Sequence, residues 1–100
     1  MYKVDVPLRI SGAIRSLFPR AIRNGLTAQL LDALAQTSYH LATDPAAWGD
    51  PQFRLKALNL TVYHRVEGPL FIAYAVDEVR KIVYVKSVLP FPGDGLEAVP

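Results

Sequence analysis

Residues 70–89, LFIAYAVDEVRKIVYVKSVL, decide the fold of this chain. Two runs within it, Leu70–Val76 and Lys81–Leu89, are rich in Ile, Val and aromatic residues and predict strands. The charged segment Asp77–Arg80 between them predicts a tight turn. A third run, Leu58–Val66, alternates with a period of two and precedes them across a Gly-Pro turn. Three consecutive strands joined by short turns predict an antiparallel meander.

The N-terminal half has the periodicity of helices. Apolar residues between positions 22 and 41 recur at three- and four-residue steps and predict one long helix, which the Asp44-Pro45 step ends. A shorter helix is predicted to begin after Ser11 as its N-cap. Pro19 either kinks this helix or opens the next one. A short strand is predicted at residues 2–6.

These elements predict an α+β fold in which an N-terminal strand and a helical pair pack on an antiparallel sheet. Residues 44–53 contain two Asp-Pro steps and predict a turn-rich connection. A chain of 100 residues with 51% apolar content suits one domain with a single core. We assign residues 1–91 to this domain and residues 92–100 to a Pro- and Gly-rich C-terminal tail.

The two faces of the predicted sheet differ in what they can contact. On the first meander strand, the face expected to meet the helices carries Leu58, Leu60, Val62, His64 and Val66. Tyr63 and Arg65 are expected to point away. In the later strands neither face is polar, so a sheet with helices on one side exposes an apolar surface on the other. Such a surface marks a partner site, unless Phe91 and Leu96 fold back to cover it.

Several classes of function are excluded at this level. With no cysteine and two histidines, we expect no metal site and no cofactor. No apolar run reaches the ~18 residues of a membrane span, and the charged, Pro-containing N-terminus does not resemble a signal peptide. We therefore expect a cytoplasmic protein with no membrane partner.

The distribution of basic residues along the chain has two interpretations, one of which is a nucleic-acid or protein partner. The net charge is only +2, but basic residues concentrate in two segments of the chain. One interpretation is a modest positive face, and the other is ordinary solvated charge. The candidate residues for binding a nucleic acid or a partner are Arg54, Lys56, Arg65, Lys86 and Phe71.

One group of residues fits a chemical role. RNA cleavage without a metal needs a base, an acid and cations for the charge that develops on phosphate. Tyr63, His64 and Arg65 are of suitable types and are the candidate catalytic residues. The alternative for His64 is a core histidine, because it is in register with Leu60 and Val62.

The order of elements over roughly residues 1–91 resembles the RelE/ParE toxin superfamily of type II toxin–antitoxin systems. Residues 70–89 are similar to the family's strand pair that runs through "Y-x-V-D-E" into "V-x-V-x-x-V". The helix that ends in Leu41-Ala-Thr-Asp-Pro, followed by Trp48-Gly49-Asp50-Pro51, is similar to the family's "L-x-x-x-P…G" passage.

The resemblance implies a toxin-like module that binds a cognate antitoxin and a cellular target, either the ribosome with its mRNA or DNA gyrase. RelE-like members cleave mRNA on the ribosome, so a metal-independent endoribonuclease is the alternative. The chain carries Leu70-Phe71 and Pro90-Phe91-Pro92 where RelE-like enzymes place basic residues. A catalytically degenerate homologue with a structural or regulatory role is therefore a third hypothesis.

Overall fold

The computed structural model describes residues 1–93 and 96. Within them the sheet has five strands in the order β1-β5-β4-β3-β2. β1 is parallel to β5, whereas the other neighbours are antiparallel. The elements follow the chain as β1 (Lys3–Asp5), α1 (Leu8–Arg23), α2 (Thr27–Thr43), α3 (Pro45–Trp48), β2 (Asp50–Leu55), a 3₁₀ turn (Lys56–Leu58), β3 (Leu60–Glu67), β4 (Leu70–Asp77) and β5 (Ile82–Pro90). The predicted α+β class, with helices packed on a sheet, is confirmed.

The boundary between the two long helices differs from the predicted boundary. α1 continues through Pro19 and ends at Arg23, with Pro7 rather than Ser11 preceding its first turn. Gly25 has a φ of +69°, a conformation that favours glycine. The N–H of Leu26 donates to the carbonyl of Ala21 at 2.7 Å, which completes a Schellman motif. The predicted start of the long helix at position 22 was therefore wrong, because this glycine separates α1 from α2, whereas its predicted end at the Asp44-Pro45 step is confirmed.

The turn-rich connection predicted at residues 44–53 contains regular structure. Pro45 occupies the first turn of α3, a position at which its missing N–H costs nothing. β2 then begins at Asp50 and pairs with β3. The register shifts between Pro51 and Phe53, and β2 lies at the edge of the sheet, where a proline is tolerated. The two Asp-Pro steps thus open a helical turn and an edge strand.

The hydrophobic core lies between the helices and one face of the sheet. The helices contribute Ile10, Leu17, Ala21, Leu30, Ala33, Leu41 and Trp48, and the sheet contributes Tyr63, Leu70, Ile72, Tyr74, Val76, Val83, Val85 and Val88. We call this sheet surface the inner face and the opposite surface the outer face. Strand registers assign the remaining residues, because paired residues share a face.

The predicted facing of β3 was wrong. Tyr63 pairs with Tyr74 on the inner face and is only 8% exposed. Val62 and His64 pair with Ala75 and Ala73, on the outer face. The prediction followed aliphatic character, but the larger apolar body of tyrosine reaches the aromatic residues of the core. Leu58, also predicted to face the helices, lies in the 3₁₀ turn and is exposed.

One residue near the C-terminus belongs to the core. Leu96 is fully buried in the inner-face cluster, and Arg20 of α1 donates from Nη1 to its carbonyl oxygen at 2.8 Å. Phe91 is anchored by its N–H, which donates to the carbonyl of Pro69 at 2.7 Å. Leu96 therefore packs with the helices and does not cover the outer face. The predicted tail otherwise falls largely on residues outside the described part of the chain.

Candidate functional site

The outer face is an apolar sheet surface to which the helices of the described chain contribute no residue of the core cluster. Every helix residue of the core cluster packs with the inner face. The outer face carries Phe53, Val62, His64, Val66, Phe71, Ala73, Ala75, Tyr84 and Leu89, by the registers of β2 to β5. Among these, Phe53 is 54% exposed, Leu89 52% and Val66 43%, whereas Val62 and Ala75 nearer the centre are each 2% exposed. An uncovered apolar surface of this kind is typical of a partner site.

The side chains of the outer face differ in size, and the smallest lie in the middle of the sheet. Ala73 and Ala75 of β4 form its centre and are buried although no described helix lies over them. Ala75 lies between Val62 and Tyr84, and Ala73 lies between His64 and Ser87. We call this strip at Ala73 and Ala75 the furrow of β4; Phe71 of the same strand stands at one end of it.

His64 belongs to the wall of this furrow. Its ring meets the ring of Phe71 edge-on, with centroids 5.1 Å apart. This contact places the candidate residues His64 and Phe71 on one surface, close enough to act together.

Tyr63 and Arg65 occupy the opposite surface from His64. Tyr63 stacks on Tyr74, with ring centroids 5.4 Å apart and planes 13° apart. Burial raises the pKa of Tyr63, and the carboxylate of Glu78 adds to the effect. The structure therefore does not bring the three candidate catalytic residues together on one surface. Their catalytic roles stay predictions, and the alternation of a strand is the physical reason for their separation.

Arg65 is held at the edge of the aromatic core. Its guanidinium lies 5.1 Å from the centroid of the Trp48 ring, and its Nη1 donates to the backbone carbonyl of Trp48 at 3.0 Å. Its Nη2 contacts the Glu67 carboxylate at 3.4 Å. These contacts orient the guanidinium against the protein. Arg65 therefore anchors the α3–β2 connection, and its outward reach toward a ligand is limited.

The other basic candidates lie apart from one another. Arg54 donates to Asn59 and to the hydroxyl of Thr61 at 3.3 Å, so it braces the turn between β2 and β3. Thr61 and Arg65 are four residues apart on one strand, which separates them by about 13 Å. Lys86 is exposed at the register shift of β5, across the sheet from β3. Lys56 is exposed in the 3₁₀ turn. These residues do not form one continuous positive patch.

Sequence reasoning missed an aromatic stack that joins α2, α3 and the sheet. The ring of His40 lies parallel to that of Trp48, with centroids 5.3 Å apart. The Trp48 ring in turn stacks on the Tyr74 ring, with centroids 6.1 Å apart. The Tyr74 hydroxyl donates to the carbonyl of Pro45 at 2.6 Å, and burial strongly raises its pKa. His40 Nδ1 lies 2.7 Å from the Asp44 carboxylate, and this hydrogen bond lowers the pKa of Asp44. The signal in the sequence was the i, i+4 spacing of His40 and Asp44, which places two side chains next to each other on a helix.

Within residues 1–93 and 96, no group of three or more His, Cys, Asp or Glu side chains is placed to hold a metal ion. In the same part of the chain, none of the helices has the length and apolar content needed to cross a membrane. No protein-family model, curated protein or solved structure matches the chain.

Proposed function

We propose that this chain is a toxin-like module of a type II toxin–antitoxin pair and acts by binding. Its outer face is the site for the cognate antitoxin, and a cellular target such as gyrase or the ribosome is the second partner. The observation that carries the proposal is the apolar furrow along β4, which no described helix of the chain covers. The proposed site of action is the cytoplasm, where both targets are found.

Two further observations support the proposal. The order of strand, helical pair and meander is the order of the RelE/ParE superfamily. The furrow contains the short side chains of Ala73 and Ala75, and the exposed residues Phe53 and Leu89 lie on the same face, paired with Val62 and Phe71. An amphipathic helix or strand of the antitoxin inserts apolar side chains above the alanines and contacts the larger residues with its flanks.

The partner is expected to be acidic. The chain carries 11 Lys and Arg against 9 Asp and Glu, and Lys86 is exposed at the register shift of β5. An antitoxin segment with apolar residues on one side and carboxylates at its borders matches these features. Charges at the rim affect the rate of association more than the final affinity.

Co-expression with the adjacent gene tests the proposal. We expect the two products to purify as one complex, and the variant Ala73→Arg to abolish that complex because a long charged side chain fills the furrow. The control is Leu31→Arg on α2, where the native leucine is 53% exposed and away from the sheet. A monodisperse monomer with no neighbouring partner gene contradicts the proposal, as does a complex that survives Ala73→Arg.

The endoribonuclease alternative is favoured by one feature, the partly exposed pair of His64 and Phe71 on the outer face. An aromatic ring can stack on a base, and an imidazole can transfer a proton. Incubation with programmed ribosomes distinguishes this alternative. Cleavage that is lost in His64→Ala and retained in Tyr63→Phe supports it, whereas intact mRNA at high protein concentration excludes it.

The degenerate-homologue alternative predicts that the protein does no harm by itself. Induction of the chain without its neighbour distinguishes the two cases. Growth arrest that is relieved by co-induction of the adjacent gene supports a toxin. Normal growth at high expression, together with a stable complex, supports a structural or regulatory module.

A further inference from the structure

A second apolar feature lies on the inner side of the sheet, between the two long helices. A cavity of about 130 Å³ opens where α1 and α2 diverge, and it is lined by residues of both helices and of β1, β4 and β5. Its floor includes Ile72, Val85 and Val88, which are buried residues of the core. Its mouth is bordered by Val6 and Ser38, both of which are exposed. The cavity therefore connects the core to the solvent.

The lining of the cavity is almost entirely aliphatic. Among the described residues that line it, Thr37 and Ser38 of α2 carry the side-chain polar groups, and none is charged. The Thr37 hydroxyl donates to the carbonyl of Ala33, four residues earlier in the helix, at 2.7 Å. The proton of this hydroxyl is therefore donated within the helix and is not available to a ligand. A charged or strongly polar ligand finds no partner that would repay its desolvation.

Water is a poor occupant for the same reason. An ordered internal water needs two to four polar partners, and the described lining offers two hydroxyls, that of Thr37, whose proton is already donated within the helix, and that of Ser38. Leaving the space empty forfeits dispersion contacts along its aliphatic walls. A compact apolar molecule restores those contacts without the need for a hydrogen bond.

We propose that this cavity is a binding site for a small uncharged apolar ligand, aromatic or branched aliphatic, of about the size of benzene. The volume is close to that of apolar cavities that take up benzene or xenon. The exposed mouth between Val6 and Ser38 provides the entry path, and a ligand with a short polar extension places it there in solvent. The site is independent of the outer face and lies on the opposite side of the sheet.

Benzene is the probe for the test, with NMR signals of the valine methyl groups and the melting temperature as readouts. We expect benzene to shift the methyl signals of Val85 and Val88 and to raise the melting temperature in a saturable way. N-Methylpyridinium, a ring of similar size that carries a permanent charge, is expected to bind at least tenfold more weakly. Failure of benzene to move either readout overturns the proposal, as does equal binding of the two probes.

Two variants locate the binding to this cavity. Leu34→Phe places a ring into the lining and is expected to weaken benzene binding at least tenfold, whereas Leu31→Phe makes the same change on the exposed side of α2 and is expected to leave it unchanged. Should Leu34→Phe fail to fold, Val6→Phe blocks the solvent-exposed mouth with the same expected loss. Undiminished binding in the folded blocking variant overturns the proposal.

Discussion

The substitution Gly49→Ala tests the tightest packing in the molecule. Gly49 lies between α3 and β2, with φ −101° and ψ 170°, a conformation that any residue adopts. A Cβ at this position would overlap the hydroxyl of Tyr74 and lie 2.9 Å from its Cζ and 3.1 Å from the Cβ of Tyr63. The conflict is therefore purely steric, and the buried aromatic ring has no room to retreat.

The expected cost has two parts. Overpacking a well-filled core costs about 1–3 kcal/mol. Displacing Tyr74 also breaks its 2.6 Å hydrogen bond to the carbonyl of Pro45, and leaving a buried polar group unsatisfied costs about 1–3 kcal/mol. We expect a loss of about 2–5 kcal/mol in the free energy of unfolding, which lowers the melting temperature of a domain of this size by roughly 10–30 °C.

Urea unfolding followed by tryptophan fluorescence measures this loss. Trp48 is the only tryptophan of the chain, and it lies in the stack with Tyr74, so its emission reports on the site directly. We expect the midpoint to fall with an unchanged slope. Gly12→Ala is the control, because a Cβ there meets nothing within 4 Å. In the interior of α1 this change should stabilise the protein by about 0.5–1 kcal/mol.

A double-mutant cycle assigns the loss to the Tyr74 hydroxyl. In a Tyr74→Phe background the overlapping oxygen is gone, so Gly49→Ala should cost at least about 1 kcal/mol less than in the wild type. A Gly49→Ala protein within about 0.5 kcal/mol of wild type would refute the packing argument. An equal cost in both backgrounds would refute the role given to the hydroxyl.

Three further predictions concern titration and the C-terminal anchor. Burial raises the pKa of Tyr63 and Tyr74, so their stabilisation is complete below about pH 10 and declines at higher pH by up to ~1.4 kcal/mol per pH unit for each tyrosine. Urea unfolding at several alkaline pH values checks this decline, and Tyr74→Phe should make it shallower; no change in slope would contradict the assignment. His40→Gln should raise the pKa of Asp44 toward its usual value, because the imidazole hydrogen bond now lowers it; an NMR titration of the carboxyl carbon shows whether it does. Leu96→Ala should cost about 2 kcal/mol, because the side chain is fully buried, and a thermal melt indistinguishable from wild type would count against its place in the core.

The predicted candidate site was only partly recoverable from the sequence. The sequence predicted an apolar sheet surface beyond the reach of the helices, and the structure places Phe71 on that surface. The role of Phe71 as a contact residue stays a prediction. The arrangement of small and large side chains on this surface was not predicted, because it depends on which residues of β3 and β5 lie beside Ala73 and Ala75. Cross-strand register is a tertiary property that no local pattern reveals.

The sequence by itself determined the α+β class and the meander, and it predicted an apolar sheet face on the side away from the helices. Strand-favouring residues, short turns and apolar residues on both sides of β4 and β5 are local features, and local features suffice for these conclusions. Only the tertiary structure decided the facing of β3, where Val62 and Tyr63 are both large enough to fill a core. The aromatic partners Trp48 and Tyr74 selected Tyr63, because stacked rings bury more apolar surface than a valine would at the same position.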